Sequence, residues 1–180
     1  NPAPGVTLDA ARPARSGPAK YLKPRALGNS VRRQRLLDLL DSRRDAQLIL
    51  IVAQAGYGKS NLISNWLSES HIRHAWLFAD EHDADPATFM RSLIESVARS
   101  EPDLIPTTLE LLAQPTPPYH QLLSEFVEEL SEAPAAFMLV VDDYHRAQSP
   151  EIDALLGMLL RSFGATPSLV LISRTRPHLP

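Results

Sequence analysis

The stretch that most restricts this chain is Ile49-Leu50-Ile51-Val52-Ala53-Gln54-Ala55-Gly56-Tyr57-Gly58-Lys59-Ser60, an apolar run that breaks into glycine, then lysine and a hydroxyl. It reads as a buried strand feeding a phosphate-binding loop. Gly56 and Gly58 can take positive φ and put no side chain between backbone and ligand, so successive N–H groups can converge on phosphate oxygens. A helix should begin there, and its unpartnered first N–H groups and its dipole favour an anion. Cofactor binding is thereby assigned to Ala55, Gly56, Tyr57, Gly58, Lys59, Ser60 and Asn61, with Lys59 reaching the β- and γ-phosphates and Ser60 ligating Mg²⁺.

The full pattern is G-x-x-x-x-G-K-[ST], and Ala53 stands where its first glycine belongs. The plain alternative is a glycine turn with a surface lysine, which the preceding β-branched run disfavours. A dinucleotide loop would need a third glycine at position 61, where the chain has Asn61.

A second apolar run, Ala135 to Val141, ends in Asp142-Asp143. A continuous run of that kind suits a strand covered on both faces, and in a parallel sheet the carboxyl ends of the strands line the ligand crevice. Asp142 would then help hold Mg²⁺, and Asp143 would orient or activate the attacking water. Further strands are expected at Ile72 to Phe78 and at Ser168 to Arg174. Arg174, at the end of the last, could present its planar fork to the γ-phosphate, with Arg176 a close rival. Asp143, Lys59 and Arg174 are the candidate catalytic residues. Among six histidines no spacing converges on a metal, and only His145, two positions past Asp143, falls near the crevice.

Helices are expected between these runs. Val31 to Leu40 would follow Asn29-Ser30 as caps, and the helix opened by Lys59 pairs Leu62 with Trp66 and Ile63 with Leu67. Asp85 and Pro86 should cap and start a helix with its stripe at Phe89, Leu93, Ile94 and Val97. The acidic cluster Asp80 to Asp85 lacks the glycine and bidentate glutamate of a calcium loop at the required offsets, so it reads as a cap and turn. Pro106 to Pro118 reads as a short helical piece and a stiff connector, followed by a helix from Tyr119 to Leu130. Ser149-Pro150 opens the last.

Composition limits the partners. At 180 residues with 44% hydrophobic and 22% charged residues the chain can bury one core. It has no cysteine, which removes disulfides, thiolate metal sites and cysteine nucleophiles and suits a reducing cytoplasm. No apolar run approaches a membrane span, so no membrane partner is expected. The net charge of −3 divides into about +7 over residues 1–44 and about −10 over the rest. The basic arm has few aromatics to stack on bases, and the acidic body is an intramolecular partner at hand. Residues 1–20 read as a flexible leader and 21–180 as the domain.

Four segments, Val52 to Ser60, Trp76 to Pro86, Leu139 to His145 and Leu171 to Arg174, resemble the nucleotide-binding domain of the signal-transduction ATPases with numerous domains (STAND). Within that class they are most similar to the large ATP-binding LuxR-type transcription regulators, the group that contains the maltose-regulon activator. The resemblance implies an α/β three-layer sandwich, a P-loop NTPase with a parallel sheet of the ASCE/STAND type. It implies ATP and Mg²⁺ as cofactors, slow hydrolysis, and an ATP state that favours self-association over an ADP resting state. It also implies that the chain is the N-terminal fragment of a longer regulator, with the C-terminal part of the domain, an inducer-binding sensor and a DNA-binding helix-turn-helix outside it. Gln54 replaces a proline frequent in the family, and Asn61 its usual second threonine. No Asn-Lys-x-Asp guanine-reading motif occurs, which favours ATP over GTP. The alternatives are a stand-alone P-loop phosphotransferase and a nucleotide-free interaction scaffold.

Overall fold

Four apolar runs separated by helical segments can pair in parallel, because each connection is long enough to return to the same end of the sheet. The computed structural model, which describes residues 17–25, 33–133, 137–164 and 167–179, has that arrangement. Strands β1 (Leu48–Val52), β2 (Arg73–Phe78), β3 (Phe137–Asp142) and β4 (Ser168–Ser173) form one sheet in the order β1-β4-β3-β2. All three pairings are parallel, with Ile51 opposite Ile172, Val141 opposite Leu171 and Phe78 opposite Asp142.

Side chains alternate across a strand, so each run supplies two faces. Ile49, Trp76, Phe78, Met138, Val140, Val170 and Ile172 face α1 (Gln34–Asp41) and α2 (Lys59–Glu69), packing on Leu37, Leu40, Ile63, Trp66 and Leu67. The intervening residues, among them Leu77, Leu139, Val141, Leu169 and Leu171, pack under a second helical layer. That layer comprises α3 (Pro86–Ser100), α4 (Pro106–Leu112), α5 (Tyr119–Ser131) and α6 (Pro150–Ser162). The result is the expected three-layer α/β sandwich. β3 and β4 are buried along their whole length, whereas β1, at the sheet edge, leaves Val52 44% exposed.

The acidic cluster is a cap and turn. Asp80 accepts from the His82 N–H at 2.9 Å while the Asp83 carboxylate accepts from the Asp80 N–H at 2.9 Å, a reciprocal capping box. Asp85 caps α3 through the Thr88 N–H at 2.8 Å, and Pro86 is its first residue. Phe89, Leu93, Ile94 and Val97 are all buried.

The first helix departs from expectation. It starts at Gln34, after Arg33, with no side-chain cap; Asn29, Ser30 and Val31 lie outside the described residues. Only Leu37 and Leu40 turn inward, while Leu36 and Leu39 are exposed, because a helix of two turns at the sheet margin has one narrow buried stripe. Gly17–Tyr21, across the expected end of the leader, form a 3-10 turn docked against β2 and α3. There Lys20 pairs with Asp83 at 2.8 Å and Asp80 at 3.1 Å, and the Tyr21 hydroxyl donates to Glu95 at 2.6 Å. Among the described residues no helix is long and apolar enough to cross a membrane.

Candidate functional site

The strand tips carry the site. Beyond β1 the Ala53 N–H still donates to the Ser173 carbonyl at 3.3 Å, so the ladder with β4 runs one residue past the strand. Positive φ falls only later in the loop, at Gly56 (83°) and Gly58 (68°). Ala53 therefore needs no glycine, which explains the departure from the full motif. Gly58 caps α2 without a side chain, leaving the first N–H groups of the helix facing the cleft. The Lys59 ammonium donates to the carbonyl oxygens of Ala53 and Gln54, and the Arg33 guanidinium donates to the Tyr57 carbonyl at 2.7 Å from outside the loop.

The opposite wall comes from β3 and β4. Asp142 is fully buried and accepts from the Asp143 N–H at 2.9 Å. Asp143 sits at φ 56°, ψ 32°, a left-handed conformation that costs a non-glycine residue energy and is held by its surroundings. Because β4 lies between β1 and β3, the residue just past its end, Arg174, emerges between loop and acids.

Ala55, Gly56, Gly58, Lys59, Ser60, Asn61, Asp143 and Arg174 line one cleft of about 370 Å³. The cleft thus unites most of the residues expected from the sequence. Tyr57, 61% exposed, is not on its wall; Asp142 lies behind it; Arg176 is exposed and away from it. A larger hollow of about 590 Å³, lined by Lys23, His71, Arg73 and Glu101 among others, lies at the entry end of β2, opposite the loop. Its Arg73 and Glu101 are paired with each other at 2.6 Å.

Charge is concentrated in the cleft. Burial lowers the Lys59 pKa, and the Arg174 guanidinium adds to that, while Asp142 and Asp143 act in the opposite direction. Burial also lowers the pKa of His145, against Asp143 and with Arg174, Lys59 and Arg146, so the neutral ring is favoured. The His145 Nδ1 is buried without a hydrogen-bond partner. Two cations, a helix start and glycine N–H groups suit a polyphosphate. The donors Ser60 and Asp142 are hard oxygens, which fits Mg²⁺, an ion that keeps several waters and takes few protein ligands. Arg33 escaped the sequence reading because nothing in local periodicity ties it to residue 57.

Three comparisons bear on the family and the fold. The family model for an AAA ATPase domain matches residues 28–172. Among curated proteins, the chain is 29% identical over 163 residues to the HTH-type transcriptional regulator MalT of Vibrio cholerae, which covers 90% of this chain and 18% of that protein. It is 34% identical over 165 residues to MalT of Cronobacter sakazakii, again 90% of this chain and 18% of the relative. It is 32% identical over 165 residues to the serine/threonine-protein kinase PknK of Mycobacterium tuberculosis, 89% of this chain and 15% of that protein. The chain thus spans less than a fifth of these relatives. The crystal structure of Cdc6p from Pyrobaculum aerophilum shares the fold, with a TM-score of 0.54, 17% identity, and coverage of 86% of this chain and 41% of that one.

Proposed function

Because the chain belongs to the AAA ATPase domain family, we propose that it binds ATP with Mg²⁺ in the loop cleft and hydrolyses it slowly, as the nucleotide switch of a LuxR-type transcription regulator. The observation that carries this reading is the convergence of Lys59, Ser60, Asp143 and Arg174 on one cleft at the carboxyl ends of the strands.

In this reading Gly56, Gly58 and the first turn of α2 cradle the phosphates, and Lys59 contacts the β- and γ-phosphates. Ser60 would hold Mg²⁺ directly and Asp142, behind the wall, mostly through water, and the ion would neutralise charge on the phosphate oxygens. Asp143 orients the attacking water from its fixed left-handed turn, and Arg174 reads the γ-phosphate. Similarity to HTH-type regulators supports a role in transcription control, with residues 21–180 as the switch domain. Self-association in the ATP state, DNA and inducer binding through other regions, and a cytoplasmic location belong to the same proposal.

A titration with a fluorescent ATP analogue, with and without Mg²⁺, tests it. Lys59→Ala should weaken binding by about tenfold or more, since hydrogen bonds to a charged group contribute about 1.5–3 kcal/mol. Equal binding by both proteins, or none by either, would instead favour a nucleotide-free scaffold. Phosphate release with no acceptor present separates a switch from a phosphotransferase.

A further inference from the structure

Behind the cleft, one buried carboxylate ties together the two segments that carry Asp143 and Arg174. Tyr144 follows Asp143 directly and is fully buried, with its ring edge-on to Phe89 at 6.5 Å between centroids. Its hydroxyl donates to Asp153 Oδ1 at 2.5 Å. Asp153, in the first turn of α6, is 5% exposed, and its Oδ2 accepts from the His178 N–H at 3.0 Å and from Gln148 Nε2 at 3.2 Å. The Gln148 Oε1 in turn accepts from the Thr175 hydroxyl at 3.1 Å. Through Asp153 the chain just past Arg174 is held at two points, Thr175 and His178.

A carboxylate this buried is costly unless its oxygens are satisfied, and here three donors satisfy it. Pro177 is buried and Leu179 packs against the core, while Gln148, Asp153 and His178 border an open hollow of about 420 Å³, so packing and the Asp153 hydrogen bonds hold the exit segment together. On the other side of the bridge, the strained turn at Asp143 persists only while neighbours hold it, and Tyr144 is its next residue.

We propose that Asp153 is a positioning residue that keeps Asp143 and Arg174 in one fixed relation, with the Tyr144 hydroxyl on one carboxylate oxygen and the His178 amide on the other. The proposal rests on the reading of the cleft as an ATP site. Its consequence is that the water-orienting acid and the γ-phosphate arginine move together or not at all. Disturbing the bridge slows the chemical step, which depends on their mutual geometry, more than it weakens ADP binding, which depends on the loop.

The test uses Tyr144→Phe, which removes one hydroxyl from a buried ring, beside Asp153→Asn and Asp153→Ala. Amide hydrogen exchange is measured on the nucleotide-free chain over 142–147 and 174–179. Tyr144→Phe should raise exchange in both segments by about tenfold, because opening one side releases the other. Asp153→Ala should do so more strongly. Asp153→Asn should leave both near wild type, since the amide can accept from His178 while the Tyr144 hydroxyl accepts from its N–H. In single-turnover hydrolysis, Tyr144→Phe should lower the rate about tenfold with the ADP Kd changed less than about twofold. Exchange raised only over 142–147, or ADP affinity lost in step with rate, overturns the proposal. Absence of hydrolysis in the wild type would strike the proposed function alone, and the exchange result would still decide the role of Asp153.

Discussion

The Lys59 ammonium lies 2.5 Å from the carbonyl oxygen of Ala53, and it also reaches the Gln54 carbonyl at 3.0 Å. The lysine expected at the phosphates thus closes the loop on its own backbone, and the residue it grips is the one that departs from the motif. Since Ala53 is held in register with Ser173 and takes no positive φ, glycine there would only add freedom to the unfolded chain. Ala53→Gly should cost about 0.5–1 kcal/mol in urea unfolding and should not tighten ATP binding. A tenfold gain in affinity would show that alanine is a defect after all.

Lys20 predicts an effect on stability far from the cleft. Its ammonium meets Asp83, whose side chain is fully buried, and Asp80, whose side chain is 7% exposed. Asp83 also accepts from the Ser92 hydroxyl at 2.7 Å and from the Asp80 N–H, so removing the lysine leaves it bonded but without a countercharge. Lys20→Met keeps the apolar stem and should destabilise by about 3 kcal/mol, the lower end of the range for a broken buried pair. The loss should persist in about 1 M salt, unlike that of a solvated pair. A gap that vanishes with salt would place Lys20 in solvent.

His74 supplies a pH dependence. Burial lowers its pKa, and the Nδ1 contact with the Ile72 carbonyl at 2.8 Å, with Glu101 nearby, only partly opposes this. The folded pKa lies below the ordinary value of 6.5, so as pH falls through that value the unfolded chain takes up the proton first. The contribution of the neutral ring is complete above about pH 7 and declines as the solution becomes more acidic. His74→Gln should flatten the change in urea midpoint between about pH 8 and pH 5.5. The carboxylates held low by hydrogen bonds, such as Glu101, act in a more acidic range. A wild-type midpoint unchanged over that window would contradict the assignment.

The strands and the convergence of their tips were legible because both follow from short-range patterns. A continuous apolar run marks β3, and parallel pairing then carries Asp142 and Asp143 to the same end as Lys59. Asp85 and Pro86 were legible as a helix start for the same local reason. What stayed hidden was pairing between distant polar groups. Lys20 finds Asp83 across 63 residues, Arg33 finds the Tyr57 carbonyl across 24, and His178 finds Asp153 across 25. No periodicity marks these partners, since each depends on how layers are stacked. The start of α1 was misplaced because Arg33 caps it with no side-chain hydrogen bond, leaving no Ser, Asn or Asp signal at the boundary.

Arg174, the candidate by sequence, and its close rival Arg176 part company in three dimensions. Arg174 lines the cleft beside Lys59 and Asp143, whereas Arg176 is exposed and off its wall. A guanidinium placed to meet the γ-phosphate adds to the binding of the triphosphate and little to that of the diphosphate. Arg174→Ala should therefore weaken ATP by about tenfold, consistent with about 1.4 kcal/mol, while ADP changes less than about twofold. Arg176→Ala should alter neither. Equilibrium titrations with both nucleotides and Mg²⁺ decide this, and equal losses of ATP and ADP in Arg174→Ala would make that arginine a general anion contact with no power to tell the two states apart.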